Sequence, residues 1–206
     1  MTTSKSKYRA SFTAGALLLS EFRSIAHLIG CEDLVDQLNK EVQENSYLRL
    51  KTELARARVV TEMKRRLKFT PSEYWNGFSS WNEQEQKLFL FYLIMNAHPL
   101  VKDLQFEAVV QRWKMLITDI SKQDLQLRLQ EIESWDDEVS SWSDSTKTKV
   151  LTQMIRILTE AGLLQKGRLT KPLIYNDDFW KQFIQWDAAW FLEACLLSPK
   201  EIEALK

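Results

Sequence analysis

The sequence predicts a mostly α-helical protein of helix-turn-helix or winged-helix character with one small β-hairpin. Apolar residues recur at three- and four-residue intervals almost throughout the 206 residues, the period of helices that bury one face. Only five glycines and four prolines are present, too few for a loop-rich or all-β fold. Residues 144–175 pair a polar-faced helix with a Gly-centred turn between two short apolar pieces, the outline of a winged helix.

The elements follow in order. Residues 12–29 read as a first helix, with Thr13 as its cap, Leu17, Leu18, Phe22, Ile25 and Leu28 on one side, and Gly30 at its end. Residues 32–44 form a second, with Leu34, Val35, Leu38 and Val42 facing inward. A third spans residues 49–68, its seam Leu50, Leu54, Ala57, Val60, Met63 and Leu67, and Thr70-Pro71 breaks the pattern. That break divides the chain into an N-terminal helical domain, 1–70, and a C-terminal one, 71–206. Residues 83–97 run apolar on every side from Leu88 to Met95, which describes a fully enclosed central helix stopped by His98-Pro99. Residues 101–117 resume the helical pattern with Leu104, Phe106, Val109, Val110, Trp113 and Leu116. Ser121 to Asp124 is a helix-opening cap leading into residues 125–132, and the acidic stretch 131–145 is a connection or short helix.

Ser145-Thr146 opens the next helix, with Val150, Leu151, Met154, Ile157, Leu158 and Ala161 as its core stripe. Lys149, Gln153 and Arg156 are read as lining the opposite face, and Gly162 as the C-terminal cap. Gln165-Lys166-Gly167-Arg168 then makes a hairpin tip, closed by residues 169–175 with Pro172 suited to an edge. In a winged helix such a helix enters a major groove and such a tip meets the backbone. The alternative is a helix and corner that merely close the core. The tail carries Phe179, Trp180, Phe183, Ile184, Trp186, Trp190, Phe191 and Cys195 beside Asp177, Asp178, Asp187 and Glu193. Acids repel phosphate, so this aromatic stripe is expected to pack on the body, with docking of a protein partner as the alternative.

Charge singles out one segment. The chain balances 28 basic against 28 acidic residues, yet residues 49–68 gather Arg49, Lys51, Arg56, Arg58, Lys64, Arg65, Arg66 and Lys68 against only Glu53 and Glu62. A basic helix in a neutral protein is the electrostatic footprint of a polyanion partner, since each neutralised phosphate releases counterions; a solvated face is the plainer reading. The candidate DNA-binding set is therefore Arg49, Lys51, Arg56, Arg58, Lys64, Arg65 and Arg66 together with Lys149, Gln153, Arg156, Lys166 and Arg168.

Other function classes find little footing. His27 and His98 stand without a nucleophile-and-base arrangement, no metal-ligand cluster appears, and the glycines are scattered singly rather than in a phosphate loop. The expectation is a protein that is not an enzyme, with no cofactor, no metal and no small-molecule substrate. Cys31 and Cys195 lack ligand-like spacing, residues 1–10 lack the apolar core of a signal peptide, and the longest apolar run is far short of the ~20 residues a membrane span needs. A cytoplasmic protein without membrane contact is expected.

Phe12-Thr13-Ala14-Gly15 with Leu17-Leu18 and Glu21 resembles the start of the BrxA family, the small helical component of bacteriophage-exclusion (BREX) defence systems. Glu44-Asn45 leading into a basic helix ending Lys64-Arg65-Arg66-Leu67 is similar, as are Ser145-Thr146, Lys149, Gln153 and the run Leu158-Thr159-Glu160-Ala161-Gly162-Leu163-Leu164. The likeness covers residues 8–175 and lapses at Lys51-Thr52-Glu53-Leu54, where the family carries an Arg-Thr-Arg-Ser type of run. It implies a mostly helical protein similar to the NusB antitermination fold, acting as a non-enzymatic accessory component beside a methyltransferase, an ATPase and a phosphatase-like protein. Its implied partners are double-stranded DNA and other BREX components; the alternatives are a protein-interaction scaffold in that complex or a NusB-like RNA binder.

Overall fold

A helix that is apolar all round has no face to offer water, and the helix α4, Glu83–Ala97, is accordingly buried on every side from Leu88 to Met95. Asn82 and Glu85 close a reciprocal capping box at its start, and Pro99 ends it by opening the next helix. The computed structural model describes residues 6–174 and 176–206, with Ala14 described by its backbone alone. Tyr175, the predicted end of the hairpin segment, lies outside the described residues.

Around α4 the described chain is helical except for one two-stranded hairpin, as the sequence predicts. A 3₁₀ turn, Ala10–Ala14, precedes α1, Leu19–Ile25, which passes into a second 3₁₀ turn, Ala26–Leu28. α2, Leu34–Glu44, and α3, Glu53–Leu67, lie antiparallel, and α3 rests on α4. α5, Pro99–Leu104, continues through a π-helical turn, Gln105–Val110, into α6, Gln111–Lys114. Then come α7, Lys122–Glu133, α8, Asp137–Ser140, and α9, Asp144–Glu160. The strands β1, Leu164–Gln165, and β2, Arg168–Leu169, pair antiparallel, and α10, Asp177–Gln185, α11, Trp190–Ala194, and α12, Pro199–Ala204, complete the chain. One buried hydrophobic cluster runs from Tyr8 to Leu205, drawing on residues on both sides of Pro71.

The aromatic tail packs on the body. Phe183 and Phe191 meet at 4.6 Å and both edge onto Tyr92 of α4, while Trp186 stacks on Tyr74 at 3.9 Å.

Several sequence expectations shift. The single helix over 12–29 is broken, because Gly15 is extended and Leu18 adopts a left-handed conformation; Thr13 donates to the Ala10 carbonyl instead of capping. Val35 and Leu54, both read as inward, are 57% and 62% exposed. Leu116, read as part of a helix running to residue 117, follows the end of α6 in a left-handed turn and stands out in solvent.

Candidate nucleic-acid interface

Ser143 caps α9 by accepting the Thr146 N–H, and the predicted stripe from Val150 to Ala161 is buried. The helix ends in a Schellman motif. Leu163 N–H reaches the Leu158 carbonyl and Gly162 N–H the Thr159 carbonyl, with Gly162 left-handed at φ 76° as predicted.

The chain then turns back through Lys166 and Gly167, at φ 50° and 78°. Positive φ at both central residues is the two-residue turn that matches strand twist, and glycine supplies one position without steric cost. A third segment steadies this hairpin. Ile120 N–H donates to the Gly167 carbonyl at 3.1 Å, Leu169 N–H donates to Thr118 at 2.6 Å, and Asp119 bridges Arg168 antiparallel. β2 is thus paired on both edges, so the tip is held by backbone hydrogen bonds. Lys166 and Arg168 are exposed there, and neither forms an ion pair among the described residues.

Two grooves flank the exposed side of α9. One, of about 550 Å³, lies between Ile155 and Thr159, the hairpin, the start of α7 and the start of α4, and gathers Lys87, Lys122 and Lys166 against Glu160. The other, of about 470 Å³, lies between α9 and residues 15–21, and brings Arg23, Lys87 and Arg156 beside Glu21 and Glu160. Lys87 and Glu160 line both. Arg156 Nε donates to Glu160 Oε1 at 2.7 Å with the arginine largely in solvent, and the other carboxylate oxygen accepts the Leu17 N–H at 3.0 Å.

The structure sorts the predicted residues sharply. Lys149 is exposed on α9, two turns or about 10 Å along the helix from Arg156. Gln153 is not on that face. It falls three residues after Val150, inside the stripe the helix turns inward, and its amide is buried with Nε2 unpartnered.

The basic helix is largely occupied with its own fold. Thr52 caps α3, so Arg49 and Lys51 stand in the preceding loop rather than on the helix. Arg56 donates to the carbonyls of Val42 and Leu50, at 2.6 and 3.0 Å, fastening the end of α2. Lys64 donates to Asn39 Oδ1 at 2.6 Å, and Arg65 to Ser11 Oγ. Arg66 is fully buried. It donates to Glu62 at 2.8 Å and to the carbonyls of Leu17 and Gly15, at 3.0 and 3.2 Å. Of the seven α3-region residues proposed from sequence, Arg49, Lys51 and Arg58 are exposed and form no ion pair among the described residues. The buried stripe of α3 is Val59, Val60, Glu62, Met63 and Arg66; it keeps Val60 and Met63 of the seam read in the sequence and adds two charged residues that the apolar pattern leaves out.

Glu62 and Arg66 also correct the reading of His98. Its Nε2 lies 2.6 Å from Glu62 Oε1, inside the core, a carboxylate partner 36 positions away that sequence spacing could not reveal. Burial pushes the imidazole pKa down despite that carboxylate, so the ring is neutral near pH 7 and donates to Glu62. Burial pushes the Glu62 carboxyl up, but the His98 hydrogen bond and the Arg66 charge outweigh it and hold the group below its ordinary range. Lys87, Lys122, Arg23 and Glu160 are the groove residues that sequence reasoning missed. Each comes from a different helix, and no local pattern joins them.

The BrxA family model matches residues 6–179. The chain belongs to the BrxA family. Membership makes it a component associated with BREX defence. A crystal structure of an uncharacterized protein from Magnetospirillum magneticum is similar in fold, with a TM-score of 0.75 and 21% identity over 92% of this chain and 98% of that one. No curated protein matches the chain. Among the described residues no helix is long and apolar enough to cross a membrane.

Proposed function

We propose that this BrxA-family chain is a non-enzymatic, double-stranded-DNA-binding component that works with other BREX proteins. The observation that carries the reading is the hydrogen-bonded hairpin tip, whose Lys166 lines one groove along α9 with Arg168 exposed two residues on. The succession of the 118–120 segment, α7, the α8 turn, α9 and the hairpin follows the order of a winged helix-turn-helix. In that arrangement α9 is the recognition helix, with Arg156 and Lys149 facing the duplex while Lys166, Arg168 and Lys122 meet phosphates. The surface is sparse in cations and carries Glu160 at its centre, which suits modest affinity with a shallow salt dependence, about one unit of logarithmic slope per phosphate contact. The non-enzymatic part of the reading draws on the burial of His98 with Glu62, which leaves that acid–base pair out of a substrate's reach.

Titration of the purified protein with labelled duplex DNA, single-stranded DNA and RNA of one sequence, over a series of salt concentrations, tests this. Duplex binding at least ten-fold tighter than single-strand or RNA binding, weakening linearly in log salt, is the expected result. A preference for RNA would favour the NusB-like alternative, and absence of duplex binding would overturn the reading.

A further inference from the structure

The antiparallel pair α2–α3 leaves a groove of about 580 Å³ between the first half of α2 and the last half of α3. Its apolar lining is Leu34, Val35, Leu38 and Leu67, and Val35 is 57% exposed. An aliphatic side chain standing that far into water at the mouth of an apolar trough is surface that a partner could cover. Phe69, just past the end of α3, is 53% exposed.

The rim is all of one sign. Lys64, Arg65 and Lys68 line the groove together with Thr61, and no carboxylate does. Lys64 spends a donor on the neutral Asn39, and Arg65 on the neutral Ser11. Among the described residues the rim makes a single ion pair, Arg65 with Glu62 at 3.9 Å, and Glu62 is buried at 2.8 Å from Arg66, which takes up its charge. Lys68 is exposed and unpaired among the described residues. The groove therefore joins an apolar lining to an unneutralised cationic rim. Nucleic-acid backbone answers the rim but has nothing to place against that lining. An amphipathic helix with acidic flanks answers both.

We infer that the α2–α3 groove is a docking site for an acidic amphipathic helix of a partner protein. Thr61 to Lys68 spans two helical turns, about 10 Å, so the bound segment presents apolar residues at an i, i+3 or i+4, i+7 spacing with Asp or Glu beside them. The groove shares no lining residue with the two grooves along α9, so the inference does not rest on the DNA reading.

The test is a titration of the full chain with a labelled 14-residue helical peptide carrying leucines at that spacing and flanking glutamates. The same peptide with lysines for the glutamates, and one with serines for the leucines, serve as controls. Saturable binding of the glutamate peptide below ~1 mM, at least ten-fold tighter than either control, is expected. Lys64→Glu/Lys68→Glu should lose that binding and gain the lysine peptide, and Val35→Asp, an exposed position that leaves the fold intact by circular dichroism, should weaken it at least five-fold. Duplex affinity of Val35→Asp should be unchanged. Equal binding of glutamate and lysine peptides, no glutamate-peptide binding, or indifference to Val35→Asp would overturn the proposal. A parallel loss of duplex affinity in Val35→Asp would overturn it too, by making the groove part of the nucleic-acid surface.

Discussion

His98 Nε2 lies 2.6 Å from Glu62 Oε1, and both side chains are almost wholly buried, joining the start of α5 to the middle of α3. The carboxylate is shared. Arg66 binds the same oxygen at 2.8 Å and carries the connection on to the carbonyls of Gly15 and Leu17. Leu17 N–H in turn reaches Glu160 of α9, which holds Arg156. A continuous polar path thus runs from a buried histidine to an exposed arginine at the candidate interface, passing through the loop that separates the first 3₁₀ turn from α1.

Removing Arg66 takes the closest charge from the buried Glu62 carboxylate and leaves it only the neutral His98 donor and Arg65 at 3.9 Å. Arg66→Met is expected to destabilise the fold by about 3–5 kcal/mol in denaturant unfolding, the usual cost of stranding a buried carboxylate. Glu62→Leu combined with Arg66→Met removes both charges and should recover much of that loss. Equal destabilisation by the single and double variants would show that the carbonyl contacts, not the charge pair, dominate.

The same triad sets a pH dependence. His98 is held below its ordinary pKa in the folded state, so the unfolded chain takes up protons first as acid is added. Its contribution is fully present above about 6.5 and declines as pH falls through the folded value, by up to ~1.4 kcal/mol per pH unit. Glu62, also lowered on folding, adds a second decline below about 4.5. His98→Gln retains a donor and lacks the proton equilibrium. Unfolding curves between pH 5 and 7 should therefore slope less in that variant than in the native chain, and identical slopes would remove His98 as the cause.

Arg56 was a candidate DNA contact in the sequence, yet its guanidinium closes the open carbonyl end of α2. Arg56→Ala is expected to cost about 1–2 kcal/mol of stability, because it strips charge-assisted hydrogen bonds from two carbonyls. Duplex affinity at temperatures well below unfolding should change less than two-fold. A large loss of affinity in a stably folded variant would return Arg56 to the binding surface.

Sequence legibility divides along physical lines. The uninterrupted apolar run of α4, the Ser121 cap, Gly162 and the Lys166-Gly167 turn were readable, because periodicity and turn chemistry are local and their signals lie in adjacent residues. The inward face of α3 was readable at Val60 and Met63 but not at Glu62 and Arg66, which are buried together although a hydrophobic pattern assigns both to solvent. Gln153 was misplaced for the same reason. The candidate grooves were not readable at all: Lys87, Lys122 and Glu160 converge from α4, α7 and α9, and the second strand partner of Arg168, beyond Gln165 of the hairpin, is the isolated Asp119.

The hairpin tip separates affinity from specificity. Lys166→Glu with Arg168→Glu should lower duplex affinity more than ten-fold on every sequence alike and reduce the logarithmic salt slope by roughly two, one unit per lost phosphate contact. Gly167→Val acts differently. A β-branched residue at φ 78° strains the turn, so the tip should distort and affinity fall although both cations remain. Unaltered binding in the charge-reversal variant would exclude the hairpin from the interface.

Glu160 gives the most discriminating variant, because its two oxygens do different work. Oε1 accepts from Arg156, whose side chain is 64% exposed, and Oε2 accepts from the Leu17 backbone. Glu160→Gln keeps an acceptor for Leu17 and removes the charge that competes with phosphate for Arg156. Exposed ion pairs of this kind contribute less than ~1 kcal/mol, so stability should barely change. Duplex affinity should rise about two- to ten-fold as the anion leaves the meeting point of the two grooves, and Arg156→Ala should cancel the gain and relax any sequence preference. If Glu160→Gln binds duplex DNA no better than the native chain while Arg156→Ala is neutral, α9 is an internal support and the exposed cations at Arg49, Lys51 and Arg58 become the surface to test.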